Sequence, residues 1–158
     1  MSIKLDQIDK KILDILQSNA KITNSQLAQE IGLSPAPTLE RVRKLEQAGI
    51  IKSYHAEVDI DQLGLGTAVF VLVSLSGHKK HQIMSFVDKM NEIPEVVECY
   101  HITGQGDFLL KILSKDISSY QQLILNKLVD IEEIGNMQSM VILSSFKDSK
   151  VMPIAPGI

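Results

Sequence analysis

The chain contains one cysteine, no tryptophan, four phenylalanines and three tyrosines in 158 residues. Cys99 cannot close an intrachain disulfide and has no second thiol for a redox pair or a thiolate metal site. With so few aromatics, Ile, Leu, Val and Met must build the cores, and an apolar share of 44% favours globular folding over disorder. Long apolar runs are missing too. The opening Met1-Ser-Ile-Lys-Leu-Asp6 has no hydrophobic segment of the secretory kind, and Val69–Leu75 is far shorter than the roughly twenty residues of a membrane span. A cytoplasmic, soluble protein without membrane contact is expected. No nucleophile, base and metal-ligand cluster occurs either. His78 and His81 fall close together but without a carboxylate- or cysteine-rich constellation around them, so no metal, no cofactor and no enzyme activity are expected.

What is present is a helical first half. Leu5, Ile8, Ile12, Ile15 and Leu16 recur at three- and four-residue spacing, with Asp6 as a helix cap and Asp9 in the first turn. Thr23 and Gln26 form a capping box for a second helix that buries Leu27, Ala28 and Ile31, and Gly32 ends it. Ser34 is then read as the cap of a third helix, through the Ala36 amide, with Pro35 and Pro37 in its first turn. Thr38, Val42 and Leu45 point inward. Ala36, Pro37, Glu40, Arg41 and Lys44 are left outside. Gly49 closes the helix, and Ile50–Val58 reads as extended chain, a wing or a linker strand. A short helix, a glycine-marked turn and a longer helix carrying Arg41, Arg43 and Lys44 suit insertion into the major groove of duplex DNA.

The charge balance restricts that reading. Residues 1–60 hold eight cations and eight anions, residues 61–158 eight and eleven, for a net charge of -3. Between 34 and 52, Arg41, Arg43, Lys44 and Lys52 exceed Glu40 and Glu46 by only two. So small a patch must be doubled by dimerisation to supply enough phosphate contacts.

After Asp59–Gly66 the pattern changes to alternating strands and helices. Strands are expected at 68–76, 96–103, 108–113 and 138–146, and helices at about 79–90 and 117–129. That order, β-α-β-β-α-β, is that of a ferredoxin-like sandwich. Its helices cover one face of the sheet. The other face still carries Val, Leu, Ile and Phe, which predicts burial against a second subunit. Residues 147–158 either add a strand at a subunit edge or fray.

The motifs Leu5-Asp6-x-x-Asp9-x-x-Ile12-Leu-x-x-Leu16, Gly32-Leu-Ser-Pro35, Arg41-Val-Arg-x-Leu-Glu46, Gly49-Ile-Ile51 and Thr103-Gly-x-x-Asp-Phe-Leu109 together resemble the Lrp/AsnC (feast/famine) family of transcription regulators. The resemblance extends through the strand around Ser139 to Lys147. It departs at Lys21, where members often carry Arg, and at Thr38, where a more apolar residue is usual. It implies an α/β two-domain protein: an N-terminal winged helix-turn-helix at 1–59, a linker at 60–66, and a C-terminal ferredoxin-like domain at 67–158 for effector binding and oligomerisation. It further implies a homodimer assembled into an octamer, with a small amino acid bound between dimers and double-stranded DNA as partner.

On these grounds the expected DNA contacts are Ser34, Ala36, Pro37, Thr38, Arg41, Arg43 and Lys44. Ser34 and the first helical amides suit a phosphate. Ala36, Pro37 and Thr38 offer small apolar surface to a thymine methyl, with Thr38 alternatively turned inward. Arg41 reaches guanine or phosphate, and Arg43 and Lys44 the backbone. Gly104-Gln-Gly-Asp107 is a plain hairpin turn or, as the resemblance implies, an effector loop, in which Asp107 orders the turn or receives an ammonium group. Tyr100, Thr103, Gly104, Gly106, Asp107 and, by the resemblance, Ser139 are the effector candidates. A small-metabolite enzyme or a purely structural oligomerisation module are the alternatives. An enzyme would turn its ligand over, and a structural module would show no DNA sequence preference.

Overall fold

The computed structural model describes residues 4–154, which form two compact units. Residues 4–57 and 147–154 make the first and Val58–Phe146 the second. The first unit is three helices, α1 (Gln7–Ser18), α2 (Asn24–Ile31) and α3 (Pro35–Gln47). Asp6 and Asp9 close a capping box at the start of α1, as do Thr23 and Gln26 at α2. Gly32 follows α2 with φ +74°, a left-handed backbone that lets α3 leave at a sharp angle. Ile12, Leu13, Leu27, Ile31 and Leu45 form the centre of the bundle. Each fully buried side chain of this size contributes about 1.5–3 kcal/mol.

The extended stretch after Ile51 pairs with no other strand among the described residues, which suits its linker alternative. The tail from Lys147 packs with the helices. Gln17 holds it: the Met152 N–H donates to Gln17 Oε1 at 2.6 Å, and Gln17 Nε2 donates back to the Met152 carbonyl at 3.2 Å. Ile154 packs against the helical core. The last four residues of that segment, 155–158, lie outside the described residues.

The second unit has the order β1 (Thr67–Leu75), α4 (Lys80–Asn91), β2 (Val96–His101), β3 (Phe108–Ser114), α5 (Ile117–Leu123) and β4 (Ile134–Val141). A π-helical turn at Ile124–Leu128 extends α5. The sheet order is β2-β3-β1-β4 with every neighbour antiparallel, the ferredoxin-like arrangement. Alternation decides the faces. Val69, Val71 and Val73 of β1 and Phe108, Leu110 and Ile112 of β3 are buried with Phe86, Met90 and Leu128. Phe70 and Leu72, together with Leu109 opposite Leu72, lie on the other face and are half-buried.

The last strand begins four residues earlier than expected and stops at Val141. In the fold, a side chain at Gly135 would come within 3.1 Å of the Ser76 amide nitrogen, so the close crossing at the irregular β1–β4 register favours glycine. Beyond the strand, Leu143 and Phe146 are 94% and 98% exposed, an apolar extension with no cover in the single chain.

Glu133 fastens the start of β4 to α4. Lys89 Nζ and Ser85 Oγ each donate to it at 2.6 Å, and together, the ammonium first, they hold its carboxyl down at about 2. A carboxylate whose folded value lies below its unfolded one stabilises the fold above the ordinary range, about 4.3. That stability disappears as pH falls towards 2. Glu133→Gln should therefore flatten the decline of the urea midpoint between about pH 4.5 and 2 relative to the native chain.

Candidate DNA interface and effector site

Helix α3 presents Ser34, Ala36, Pro37, Arg43 and Lys44 to solvent. Ser34 occupies the cap position, yet its side chain makes no capping bond. Pro37 has no amide at the third helical position, and the Ala36 amide, the receiver expected from the sequence, is not engaged by Ser34 either. The start of α3 is anchored instead by Asn24 Nδ2, which donates to the Pro35 carbonyl at 2.8 Å.

Thr38 is completely buried, and its hydroxyl donates to the Ser34 carbonyl at 2.9 Å. Its inward alternative holds, and it does not belong with the outward-facing DNA candidates. Arg41 requires a second correction. Its guanidinium is not left outside but turns back to the start of α1, where Nη1 lies 2.7 Å from both Asp6 Oδ2 and Asp9 Oδ1. The Asp9 amide, followed by Arg41, lowers the Asp6 carboxyl, and the two acids in turn raise Arg41. The α1 capping box thus doubles as a socket for α3. Spacing alone could not reveal this, because residues 32–35 apart meet only through the helix turns. Leu39, 39% exposed beside Ala36, was passed over by sequence reasoning. Its signal was the inward assignment of Thr38 and Val42, which leaves position 39 rotated away from the core.

Arg41→Ala leaves Asp6 and Asp9 without their shared cation. Exposed ion pairs are weak, so a loss of about 1 kcal/mol in thermal stability is expected. DNA affinity should fall as well, but the salt slope of binding should stay near the native value, since no phosphate contact is removed. A slope reduced by about one would show that Arg41 touches phosphate directly.

In the sheet unit, Asp107 is the most constrained of the effector candidates. Its N–H donates to the Val73 carbonyl at 2.8 Å, and its own carbonyl accepts from Ile102 N–H at 2.9 Å. Its Oδ2 accepts the Leu75 N–H at 2.7 Å, and His78 Nε2 donates to Oδ1 at 2.9 Å. The Leu75 amide, and after it His78, holds this carboxyl below its usual range. Asp107 therefore orders the turn. Gly104 has φ +124°, which disfavours any side chain, and Gly106 is buried against Leu72, where an added Cβ would lie 2.7 Å from Leu72 Cδ1. Thr103 and Gly104 are exposed at the loop tip.

Tyr100 and Ser139 lie apart from each other. β2 and β4 are opposite edges of the sheet, about 14 Å apart at ordinary strand spacing. Tyr100 pairs with Leu109 on the open face and donates its hydroxyl to Glu98 at 2.8 Å. Ser139 lies on the helix-covered face, 2.5 Å from the Tyr120 hydroxyl. His101 also takes the covered face, stacked on Phe108 with ring centres 4.9 Å apart. Cys99 is exposed on the edge strand, and partial burial raises its thiol, which disfavours nucleophilic use. Among the described residues no group of three or more His, Cys, Asp or Glu could hold a metal ion. No helix there is long and apolar enough to cross a membrane.

Residues 5–52 match the winged helix-turn-helix DNA-binding family, and residues 68–152 the Lrp/AsnC ligand binding domain. The chain belongs to the Lrp/AsnC family. It is 39% identical over 154 residues to the transcriptional regulator AzlB of Bacillus subtilis (strain 168), covering 98% of both chains. To the leucine-responsive regulatory protein of Escherichia coli (strain K12) it is 33% identical, covering 95% of this chain and 92% of that one. Among solved structures, a transcriptional regulator of Neisseria meningitidis in complex with L-Met superposes with a TM-score of 0.91 at 33% identity, covering 95% and 97%. An N-terminal DNA-binding unit and a C-terminal ligand-binding unit make this Lrp/AsnC protein a DNA-binding transcription regulator.

Proposed function

We propose that this regulator reads duplex DNA with the outer face of α3, as a homodimer or a larger even assembly, and that a small amino acid at the Gly104–Asp107 loop shifts the balance between assemblies. The carrying observation is the exposed run from Ser34 through Ala36 and Pro37 to Arg43 and Lys44 on one helix, whose inner residues are locked by Thr38 and Arg41. Ser34 and the first amides suit a phosphate, Ala36, Pro37 and Leu39 a thymine methyl, and Arg43 and Lys44 the backbone. Arg41 serves by holding the helix.

The half-buried Phe70, Leu72 and Leu109 support subunit pairing over the open sheet face, the octamer being the larger form expected. The L-Met complex of the Neisseria regulator supports an amino acid as ligand class. Tyr100 and Ser139 can serve one ligand only if different subunits supply them, because one chain holds them at opposite edges. Domain limits near residues 59 and 67 fit this division of labour. Asp59 accepts the Asp61 and Gln62 amides, so the stretch between them begins with an ordered turn.

Ligand-driven change requires different affinity for the two assemblies. A genomic DNA-binding selection, run with and without each of a panel of amino acids, tests both halves of the reading. Enriched sites that move with one amino acid are the expected outcome. Uniform recovery of genomic fragments would reject sequence-specific regulation.

A further inference from the structure

This inference rests on the loop at Gly104–Asp107 being the effector site. Asp107 has one carboxylate oxygen committed to the backbone: Oδ2 receives the Leu75 amide. The other, Oδ1, is where a ligand's ammonium must land, and His78 Nε2 already lies 2.9 Å from it. We propose that His78 is a positioning and specificity-determining residue that occupies Asp107 Oδ1, so that an amino-acid effector binds by displacing or sharing this imidazole.

The pair is asymmetric. The Asp107 side chain is 22% exposed and backbone-locked, whereas the His78 side chain is 67% exposed and sits ahead of α4. Displacement therefore moves the histidine and leaves the carboxylate in place. A neutral imidazole gives up one hydrogen bond, of small net value near water. Removing the imidazole leaves Oδ1 open to the ammonium, so effector binding should strengthen when residue 78 has no donor. The other charged group with a bearing on Asp107 is His101 of β2, which acts on it through space with the same sign. A ligand without an amino group has nothing to exchange at Oδ1 and escapes this competition.

The test has two arms on the full chain. In the first, carbon NMR follows the Asp107 carboxyl without ligand, and its midpoint should rise in His78→Ala and less in His78→Gln, which keeps a donor. In the second, calorimetry at one pH measures L-methionine and its analogue lacking the amino group. L-methionine should bind about twofold to fivefold more tightly to His78→Ala than to the native chain, as expected for loss of a surface pair. The analogue should bind both proteins alike. An unmoved Asp107 midpoint, or native methionine affinity in His78→Ala, overturns the role of His78. A moved midpoint with no methionine binding by any variant overturns the effector reading instead, and the proposed competition with it.

Discussion

Replacing Arg43 and Lys44 together by alanine should cost this regulator most of its DNA affinity while leaving it folded. Both residues are exposed on α3, and Lys44 pairs with Glu40, one turn earlier, at 3.1 Å. Such a surface pair is worth about 0.3–0.5 kcal/mol and yields readily to a phosphate. Every phosphate that a cation no longer neutralises lowers the dependence of log affinity on log salt by about 0.9, so the slope should fall by roughly two per helix-turn-helix. At 0.1 M salt this corresponds to about 60-fold in affinity per DNA-binding unit, and more in a dimer that uses two. Alanine is the best helix former, so helicity by circular dichroism should hold. Fluorescence anisotropy over several salt concentrations measures both quantities. A native slope would remove these residues from the interface. Arg41→Ala supplies the contrast, since it should loosen the α1–α3 socket without changing the slope.

Asp107→Asn should abolish the response to the effector with a small effect on stability. The amide oxygen of Asn can still accept the Leu75 N–H, so the turn keeps the bond that orders it. The negative charge is lost. A charge-assisted hydrogen bond is worth about 1.5–3 kcal/mol, which predicts a loss of roughly 10- to 150-fold in affinity for a ligand bound through its ammonium group. Amino-acid-dependent DNA binding, titrated for the native chain and for Asp107→Asn, is the direct measurement. A variant that responds at the native concentration would leave Asp107 with the turn as its sole role. Because Asn also removes the ionised partner of His78, a retained fold with a lost response would locate the effect in the charge rather than the backbone.

Legibility differed sharply between backbone and side chains. The capping boxes at Asp6 and Thr23, the glycine turn at Gly32 and the βαββαβ order follow from short-range chemistry: cap oxygens, left-handed glycine and alternating burial. Errors arose where distant segments meet. The last strand, expected from 138, begins at Ile134, where β1 passes close to β4 at Gly135. The tail from Lys147 carries no periodicity, so its return to α1 through Gln17 and Ile154 had no local signal. Ser34 illustrates a smaller failure, in which residue type suited a cap through the Ala36 amide but the side chain makes no capping bond.

The candidate site divides in the same way. Ala36, Pro37, Arg43 and Lys44 could be placed outward by helical period alone, since that period is a property of the backbone. Whether a cation on that helix faces solvent or an acid on another helix depends on how the helices pack. Arg41 went to Asp6 and Asp9. Strand alternation likewise separates Tyr100 from His101 unaided, but the pairing order alone puts Tyr100 and Ser139 on opposite edges of the sheet. Residue order thus determined the helices, the strands and the family they belong to, because those rest on neighbours a few positions apart. Tertiary structure decided which side chains were already paired, Arg41 with two aspartates and Asp107 with His78, because such contacts form only where folding brings remote side chains within reach.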